Sequence, residues 1–340
     1  MTDFHVFIEI EEKCVDAPEA QEEKMWKWWA IGEGLMKTLS ALFQKTVGIV
    51  MGTLEMGFLA AGIIGGMQAL SGWIGRAAFS SQEKKSPIFV DRKTVATMIF
   101  LGFLAGIFGT VLSIYTFTLG ADIGVRTLLI SFSVVPAAIA AAYIWPSTDA
   151  LNSRQKAGIG VFILAMWAIL DFPDVSLMAN MDAWVWLTLL LAAANALGEL
   201  VSRAAAAKAD VWVNNIWIGS STVFFSIVGL VLFFSVNGWG SGINITPLFM
   251  WSSIVIGAIV VAMVSFKILA YRGGGTIALK KIIVPGVYLI SALFAGVFVY
   301  GEPLTVGKMV GVGLWFVSVY LVDSKAGADL KHVFPRMKTA

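Results

Sequence analysis

Residues 292–321 read ALFAGVFVYGEPLTVGKMVGVGLWFVSVYL. Two apolar runs flank one short polar link, Tyr300-Gly301-Glu302-Pro303-Leu304-Thr305. The first run is too apolar for a soluble surface. The second returns across the same thickness, with Gly307, Gly311 and Gly313 letting backbones approach. Glu302 falls where water begins. Pro303 suits the first turn of a helix, where its missing N–H would be unpaired anyway, and Thr305 can cap the helix that follows. The stretch predicts a membrane hairpin.

A weaker copy lies 153 residues earlier, where Asp149-Ala150-Leu151-Asn152 aligns with Glu302-Pro303-Leu304-Thr305. At the same offset Gln155-Lys156-Ala157-Gly158 aligns with Lys308-Met309-Val310-Gly311. An acid, a Leu, a small capping residue and a Gly recur at identical spacing between apolar runs. Such a repeat implies two halves of about 150 residues, and paired halves of inverted topology are a recurring design of secondary transporters.

Composition agrees. Hydrophobic residues make up 58% of the chain and charged ones 14%, against about a quarter charged in soluble domains, and the mean hydropathy is +0.82. A net charge of +2 implies no nucleic-acid partner. Cys14 is the sole cysteine, which excludes a disulfide within the chain and cysteine-based zinc sites. His5 and His332 lie in the terminal tails, so no histidine is available for a metal or catalytic site in the core. No cofactor and no metal are expected.

Residues 1–24 hold eight acids and read as a solvated tail, with no cleavable signal. In residues 25–53, Met25, Trp28, Trp29, Leu35, Met36, Leu39, Leu42, Phe43 and Val47 recur at three- and four-residue spacing, with Glu33, Lys37, Ser40 and Gln44 opposite. That is an amphipathic helix, and its Trp-rich face with Lys opposite suits a membrane interface. The repeat offset instead maps it onto the apolar segment 184–206, so it is either a degenerate first span or an interfacial helix in that place. Clear spans of roughly 20 apolar residues follow at 56–79, 95–119, 124–146, 154–172, 184–204, 212–235, 249–271, 277–300 and 304–323. The expected fold is an all-α polytopic membrane protein of about ten helices in two inverted five-helix repeats, 25–172 and 184–323, with a basic cytoplasmic tail at 324–340.

Lys and Arg set the orientation. Lys84, Lys85, Arg92 and Lys93, then Arg154 and Lys156, Lys208, Arg272, Lys280 and Lys281, and finally Lys325, Lys331, Arg336 and Lys338 fall on alternate loops and the tail. Loops 173–183 and 236–248 have neither residue. The C-terminus is therefore expected in the cytoplasm, and the cell (inner) membrane is the expected location.

Two halves that each end in an acid, a Leu, Thr or Asn, then Gly and an apolar run resemble the drug/metabolite transporter superfamily, in particular its EamA-like family. The resemblance rests on Glu302, Pro303, Leu304, Thr305 and Gly311, with Asp149, Leu151, Asn152 and Gly158 as counterparts, and on Pro136 and Pro285. The chain departs from the pattern in its charged first helix and in having Asp149 where Glu is usual. The resemblance implies a central cavity between the halves, open alternately to each side, and a small-molecule substrate with a coupling proton or ion.

Ionisable residues within spans are functional candidates because desolvating them is costly. Glu199 is a coupling or cation-binding carboxylate facing the cavity, or else pairs with Arg203 one turn on. Asn195, one turn earlier, would hydrogen-bond substrate or glue helices. Lys280 and Lys281 resemble the phosphate-binding pair of the triose-phosphate and nucleotide-sugar branches, which implies an anionic substrate. Their position at the start of a helix, about two turns shallower than the pair of those branches, favours snorkelling to the interface instead, as does that of Lys267 near the end of its helix. Asp122 and Arg126 read as a pair at the external rim. Tyr115, Trp167 and Tyr288 are aromatic candidates for the cavity wall. Gly62/Gly66, Gly102/Gly106 and Gly307/Gly311 are close-packing pairs.

Few deep charges and many aromatics point to a neutral, zwitterionic or amphipathic substrate, with export of amino acids or related compounds as the expectation from resemblance. The alternatives are an anion exchanger for phosphorylated or nucleotide-linked sugars and, from other classes, a membrane scaffold or an embedded enzyme. No enzymatic activity is expected, because no catalytic constellation is present. In a Cys14→Ser background, single cysteines at Ser241 and Ser324 are expected to react with an impermeant thiol reagent from opposite faces of the membrane. Labelling of both from the same face would overturn the assigned orientation.

Overall fold

The computed structural model describes residues 22–51, 53–79, 87–131, 133–146, 152–169, 182–206, 208–238, 243–275 and 277–322. The acidic tail up to residue 21, Asp149, Leu151, most of loop 173–183 and the side chain of Lys281 lie outside what it describes. All regular structure among the described residues is helical. In chain order the helices are α1 (Glu22–Met51), α2 (Leu54–Phe79), α3 (Arg92–Thr118), α4 (Ile123–Ser131 and Val134–Ile144), α5 (Ser153–Ile169), α6 (Ala183–Ala206), α7 (Val211–Asn237), α8 (Pro247–Arg272), α9 (Ile277–Tyr300) and α10 (Val306–Val322). Seven of them are long and apolar enough to cross a bilayer: α2, α3, α4, α6, α7, α8 and the Ile283–Tyr300 part of α9. The chain is a multi-pass integral membrane protein. Large apolar side chains such as Tyr143, Phe224, Val236, Trp251 and Phe298 accordingly lie on the outer surface.

The helix starts follow local chemistry. Asp91 accepts from the Thr94 N–H at 2.9 Å and the Thr94 hydroxyl at 2.7 Å, which holds its carboxyl below the usual range. Asp210 caps α7 through the Val213 N–H at 2.7 Å. Thr246 caps α8 at Phe249, with Pro247 in the first turn. At the start of α5, Asn152 and Gln155 form a reciprocal capping box, their bonds 2.8 and 2.9 Å long. At the start of α10, Thr305 accepts from the Lys308 N–H at 3.2 Å, as its sequence position implied.

Packing joins distant parts of the chain. Helix α2 lies along α7, α5 along α10, α1 along both α8 and α9, and α6 against α3 and α4. Missing side chains make the closest of these approaches possible. A Cβ on Gly219 of α7 would stand 2.4 Å from the Ala69 nitrogen and 2.6 Å from the Gly65 carbonyl oxygen. A Cβ on Gly72 would stand 2.8 Å from the Ile216 nitrogen. The α2 face in contact is thus that of Gly65 and Gly72. Gly62 meets only Ser226, at 3.8 Å, and Gly66 nothing within 4 Å. Spacing alone had pointed to that pair, but one residue is a 100° rotation about the axis, which decides the face. Gly102 and Gly311 do meet their neighbours closely, Ser221 and Ile218 in one case and Ile169 and Ala165 in the other.

Within α3, residues Leu104–Leu112 widen into a π-helix. The Thr110 hydroxyl donates to the Ala105 carbonyl, five residues back, at 3.1 Å. Such segments are rare and frequent at functional sites, and this one borders the interior cavity.

Gly219→Ala is expected to destabilise the detergent-solubilised protein by about 1–3 kcal/mol, because backbone and not a flexible side chain opposes the new methyl. Gly66→Ala is expected to be neutral or to stabilise by up to about 1 kcal/mol through helix propensity. Thermal unfolding of the two variants beside the parent checks the contrast.

Candidate functional site

Helix α1 decides the interior. Its polar positions Glu33, Lys37, Ser40 and Gln44 recur at helical spacing along one stripe. Glu33, Ser40 and Gln44 are 0%, 6% and 7% exposed, so the stripe faces the middle of the bundle. Trp28, Leu35 and Leu39 are among the exposed residues on the other side. The amphipathic pattern is therefore that of a helix with its polar face inward. Where α1 runs beside α8 and α9, membrane-facing apolar residues and a polar interior give the same periodicity as an interfacial helix with the sides exchanged.

At one end of the bundle four helices bring five charges together. Lys280 of α9, 1% exposed, lies 2.7 Å from Glu33 Oε2 and 2.9 Å from Glu199 Oε2. Lys37 Nζ is 2.9 Å from Glu33 and 3.7 Å from Glu199, and Lys267 Nζ is 3.3 Å from Glu199. The Tyr271 hydroxyl donates to Glu199, and the Lys280 ammonium stands 4.3 Å from the Tyr271 ring centre. With three lysines and two glutamates in their usual forms, the cluster carries one excess positive charge.

A cavity of about 180 Å³ begins at this cluster and runs along the α1 stripe. Lys37 and Lys267 line it at the cluster, followed by Ser40, Gln44, Asn195 of α6 and Tyr288 of α9, and the π segment of α3 contributes Phe108, Gly109 and Thr110. Farther along, Gln44 donates to the Gly109 carbonyl at 3.3 Å and accepts from the Ser113 hydroxyl at 2.6 Å. Arg126 of α4 donates to Ser113 and, at 2.8 Å, to Thr116 Oγ1, with its guanidinium 4.4 Å from the Phe117 ring centre. On the α2–α7 side, Gln68 donates to Asn215 Oδ1 at 3.0 Å.

The opposite end of α1 is held by a second ion pair. Glu302, in the α9–α10 link, accepts from Lys45 Nζ at 2.6 Å and from the Ile123 and Gly124 N–H groups at 3.0 and 3.4 Å. Its carboxylate therefore occupies the N-terminus of α4, where the unpaired N–H groups favour an anion. The Tyr300 hydroxyl donates to the Leu42 carbonyl at 3.0 Å, and Lys45 lies 4.3 Å from the Tyr300 ring centre. Glu302, 9% exposed, turns inward.

Apart from Lys281, whose side chain lies outside the described residues, each sequence candidate has a definite place. Glu199 is in the cluster, 2% exposed. Arg203, its i,i+4 neighbour, lies over the Trp145 ring at 4.5 Å. Lys280 is the centre of the cluster. Its ammonium does not snorkel, because two carboxylates await it inside. Lys267 points to the cluster for the same reason. Asn195 lines the cavity while donating to the Leu191 carbonyl at 3.0 Å, and Tyr288 lines it too. Tyr115 is half-buried and apart from the cavity wall, two residues and so about 200° round the helix from Ser113. Trp167 is 45% exposed, since the opposite side of α5, with Phe162 and Met166, is the one that packs inward. Arg126 does not pair with Asp122 at the rim: the Asp122 carboxylate accepts from the Val125 N–H at 2.8 Å while the guanidinium turns inward. Glu33, Lys37, Gln44 and Arg126 had not been singled out as cavity residues. The signal for the three on α1 was the i, i+4, i+7, i+11 spacing of the polar stripe that they share with Ser40, which does not say what it faces.

No protein-family model matches the chain, and no curated protein does. A solved crystal structure of a protein is similar with a TM-score of 0.59 at 14% identity, over 91% of this chain and 99% of the other. That likeness is one of fold.

Lys280→Met is expected to destabilise the protein by about 3 kcal/mol or more, because two buried carboxylates lose their shared cation. Adding Glu199→Gln returns the cluster to its original net charge and removes one of the two carboxylates that lost Lys280, and the double variant is expected to recover part of that loss. Thermal unfolding of the single and double variants measures it. A double variant less stable than Lys280→Met would argue against a mutually compensating cluster.

Proposed function

We propose that the protein is a secondary transporter that moves a small polar metabolite by alternating access. In this reading α1–α5 and α6–α10 are inverted repeats of the EamA-like drug/metabolite transporter type. The supporting observation is the polar cavity inside an apolar helical bundle, bordered by α1, α2, α3 and α4 of one half and α6, α7, α8 and α9 of the other. The contacts exchange between halves in the way two repeats require. If α1 to α5 correspond to α6 to α10, then α1 on α8 and α9 is matched by α6 on α3 and α4, while α2 on α7 and α5 on α10 map onto themselves. The capped starts at Asn152 and Thr305 correspond as well.

The proposed substrates are amino acids or related compounds, exported across the cell membrane, with the C-terminus in the cytoplasm and a proton or ion as the coupling species. Glu199, which holds Lys267, Lys280 and Tyr271 together, is the proposed coupling carboxylate. The protein is proposed to have no catalytic activity. A second reading, anion exchange, is supported by the excess of lysine over glutamate beside the cavity, although Lys280 is already held by two carboxylates.

Counterflow in proteoliposomes separates the readings. Zwitterionic amino acids are expected to accumulate in exchange for internal substrate, and Glu199→Gln is expected to reduce the rate at least tenfold and remove its response to a proton gradient. Accumulation of phosphorylated compounds alone would favour exchange, and failure of every pool would count against transport.

A further inference from the structure

Arg126 is a buried cation that its surroundings leave unneutralised. It lies in the first turn of α4, 1% exposed, and lines the cavity. Its contacts are two hydroxyls, Ser113 and Thr116, and the Phe117 ring, with Tyr288 alongside. Among the described residues no carboxylate lies within ion-pair distance of it. The two acids that bond the first turn of α4 are committed elsewhere. Asp122 accepts from the Val125 N–H, and Glu302 holds Lys45 and the first N–H groups of α4.

A guanidinium has five N–H donors in a planar fork that matches a carboxylate or phosphate. The hydroxyls of Ser113, Thr116 and the adjacent Tyr288 do not use them all. Burying such a charge without a counter-charge is unfavourable, the more so at membrane depth, and the neighbours that hold Arg126 in place are neutral. With its lysines and glutamates ionised, the cluster at the other end of the cavity adds one further positive charge. The space is therefore electrostatically prepared for a negative group that enters from outside.

We propose that Arg126 is the specificity-determining residue of the cavity and binds an anionic group, carboxylate or phosphate, of the transported molecule. The assignment rests on reading the cavity as a substrate site. Gln44 and Ser113 are the positioning groups. Ser113 accepts from Arg126 and donates to Gln44, whose amide is tied to the Gly109 carbonyl of the π segment, so the guanidinium orientation is coupled to α1 and α3.

The test uses purified full-length protein in detergent and the same protein in liposomes. Thermal stabilisation is titrated with L-leucine and with leucinamide, which lacks the carboxylate, and with glycerol phosphate and with glycerol. The parent is expected to be stabilised by leucine or glycerol phosphate and not by its counterpart. Arg126→Gln is expected to weaken that binding roughly tenfold or more, as loss of a charged hydrogen-bond partner does. Arg126→Lys is expected to retain part of the affinity. Without ligand, Arg126→Gln is expected to melt no lower than the parent, because it removes an unpaired charge.

Equal stabilisation by the counterparts, no stabilisation by either anion, or unchanged affinity in Arg126→Gln would overturn the assignment. If Arg126→Gln fails to fold, an affinity in Arg126→Lys equal to the parent's overturns it. Arg126-dependent binding without counterflow would leave the assignment standing and remove the transport reading. Counterflow indifferent to Arg126→Gln would do the reverse.

Discussion

The ammonium of Lys280 between the carboxylates of Glu33 and Glu199 is the contact on which the interior depends. Each of these groups is costly to bury alone. Together they satisfy one another only if α1, α6 and α9 approach at one level, and Lys37 and Lys267 extend the same requirement to α8. Hydrophobic burial drives helices of a membrane protein together only weakly, because lipid is as apolar as the side chains. A shared set of charges is specific where apolar contact is not, since a helix displaced by one turn would strand a lysine or a glutamate in a medium that cannot solvate it.

A second constraint acts at the other end of α1. From Lys37 to Lys45 the helix rises about 12 Å, and Lys45 there meets Glu302, which also occupies the N-terminus of α4. Helix α1 is thereby fastened to α9 near both ends of that helix, by Lys280 at its start and by the Tyr300-Gly301-Glu302 turn at its finish. Gly301 adopts a φ of +66°, a conformation available at little cost to glycine. Between the two fastenings the α1 stripe and the widened turn of α3 leave polar space. Under the transport proposal, opening to either side requires one fastening to loosen while the other holds, and ion pairs between separate helices are contacts that break as units.

Helices α2 and α7, which wall part of this space, and α5 and α10 pack at closer range. Gly219 against Gly65 and Ala69, and Gly311 against Ala165 and Ile169, bring α2 to α7 and α5 to α10 at backbone distance. Neither pair supplies a charge to the cluster, and a glycine stands at the closest contact of each. Polar contacts cross these seams as well, Gln68 to Asn215 in one and Ser318 to the Gly158 carbonyl in the other, but it is the glycines that let the backbones come close.

Long apolar runs were enough by themselves to determine that this chain enters a membrane and where most of its helices lie, because crossing hydrocarbon demands a length and a composition that any window of sequence displays. The caps at Asn152 and Thr305 were equally local, since a cap acts within four residues of itself. Glu199 was conspicuous as a carboxylate in an apolar segment. The facing direction of α1 was beyond the same reasoning: a polar stripe toward water and a polar stripe toward a cavity have one periodicity. Only the tertiary structure decided that Glu33, Lys37, Lys267 and Lys280 share a site with Glu199, that Arg126 turns away from Asp122, and that Trp167 faces outward. Each of those outcomes depends on which distant helix supplies the opposing charge or the opposing surface, and no spacing along the chain encodes a distance between helices.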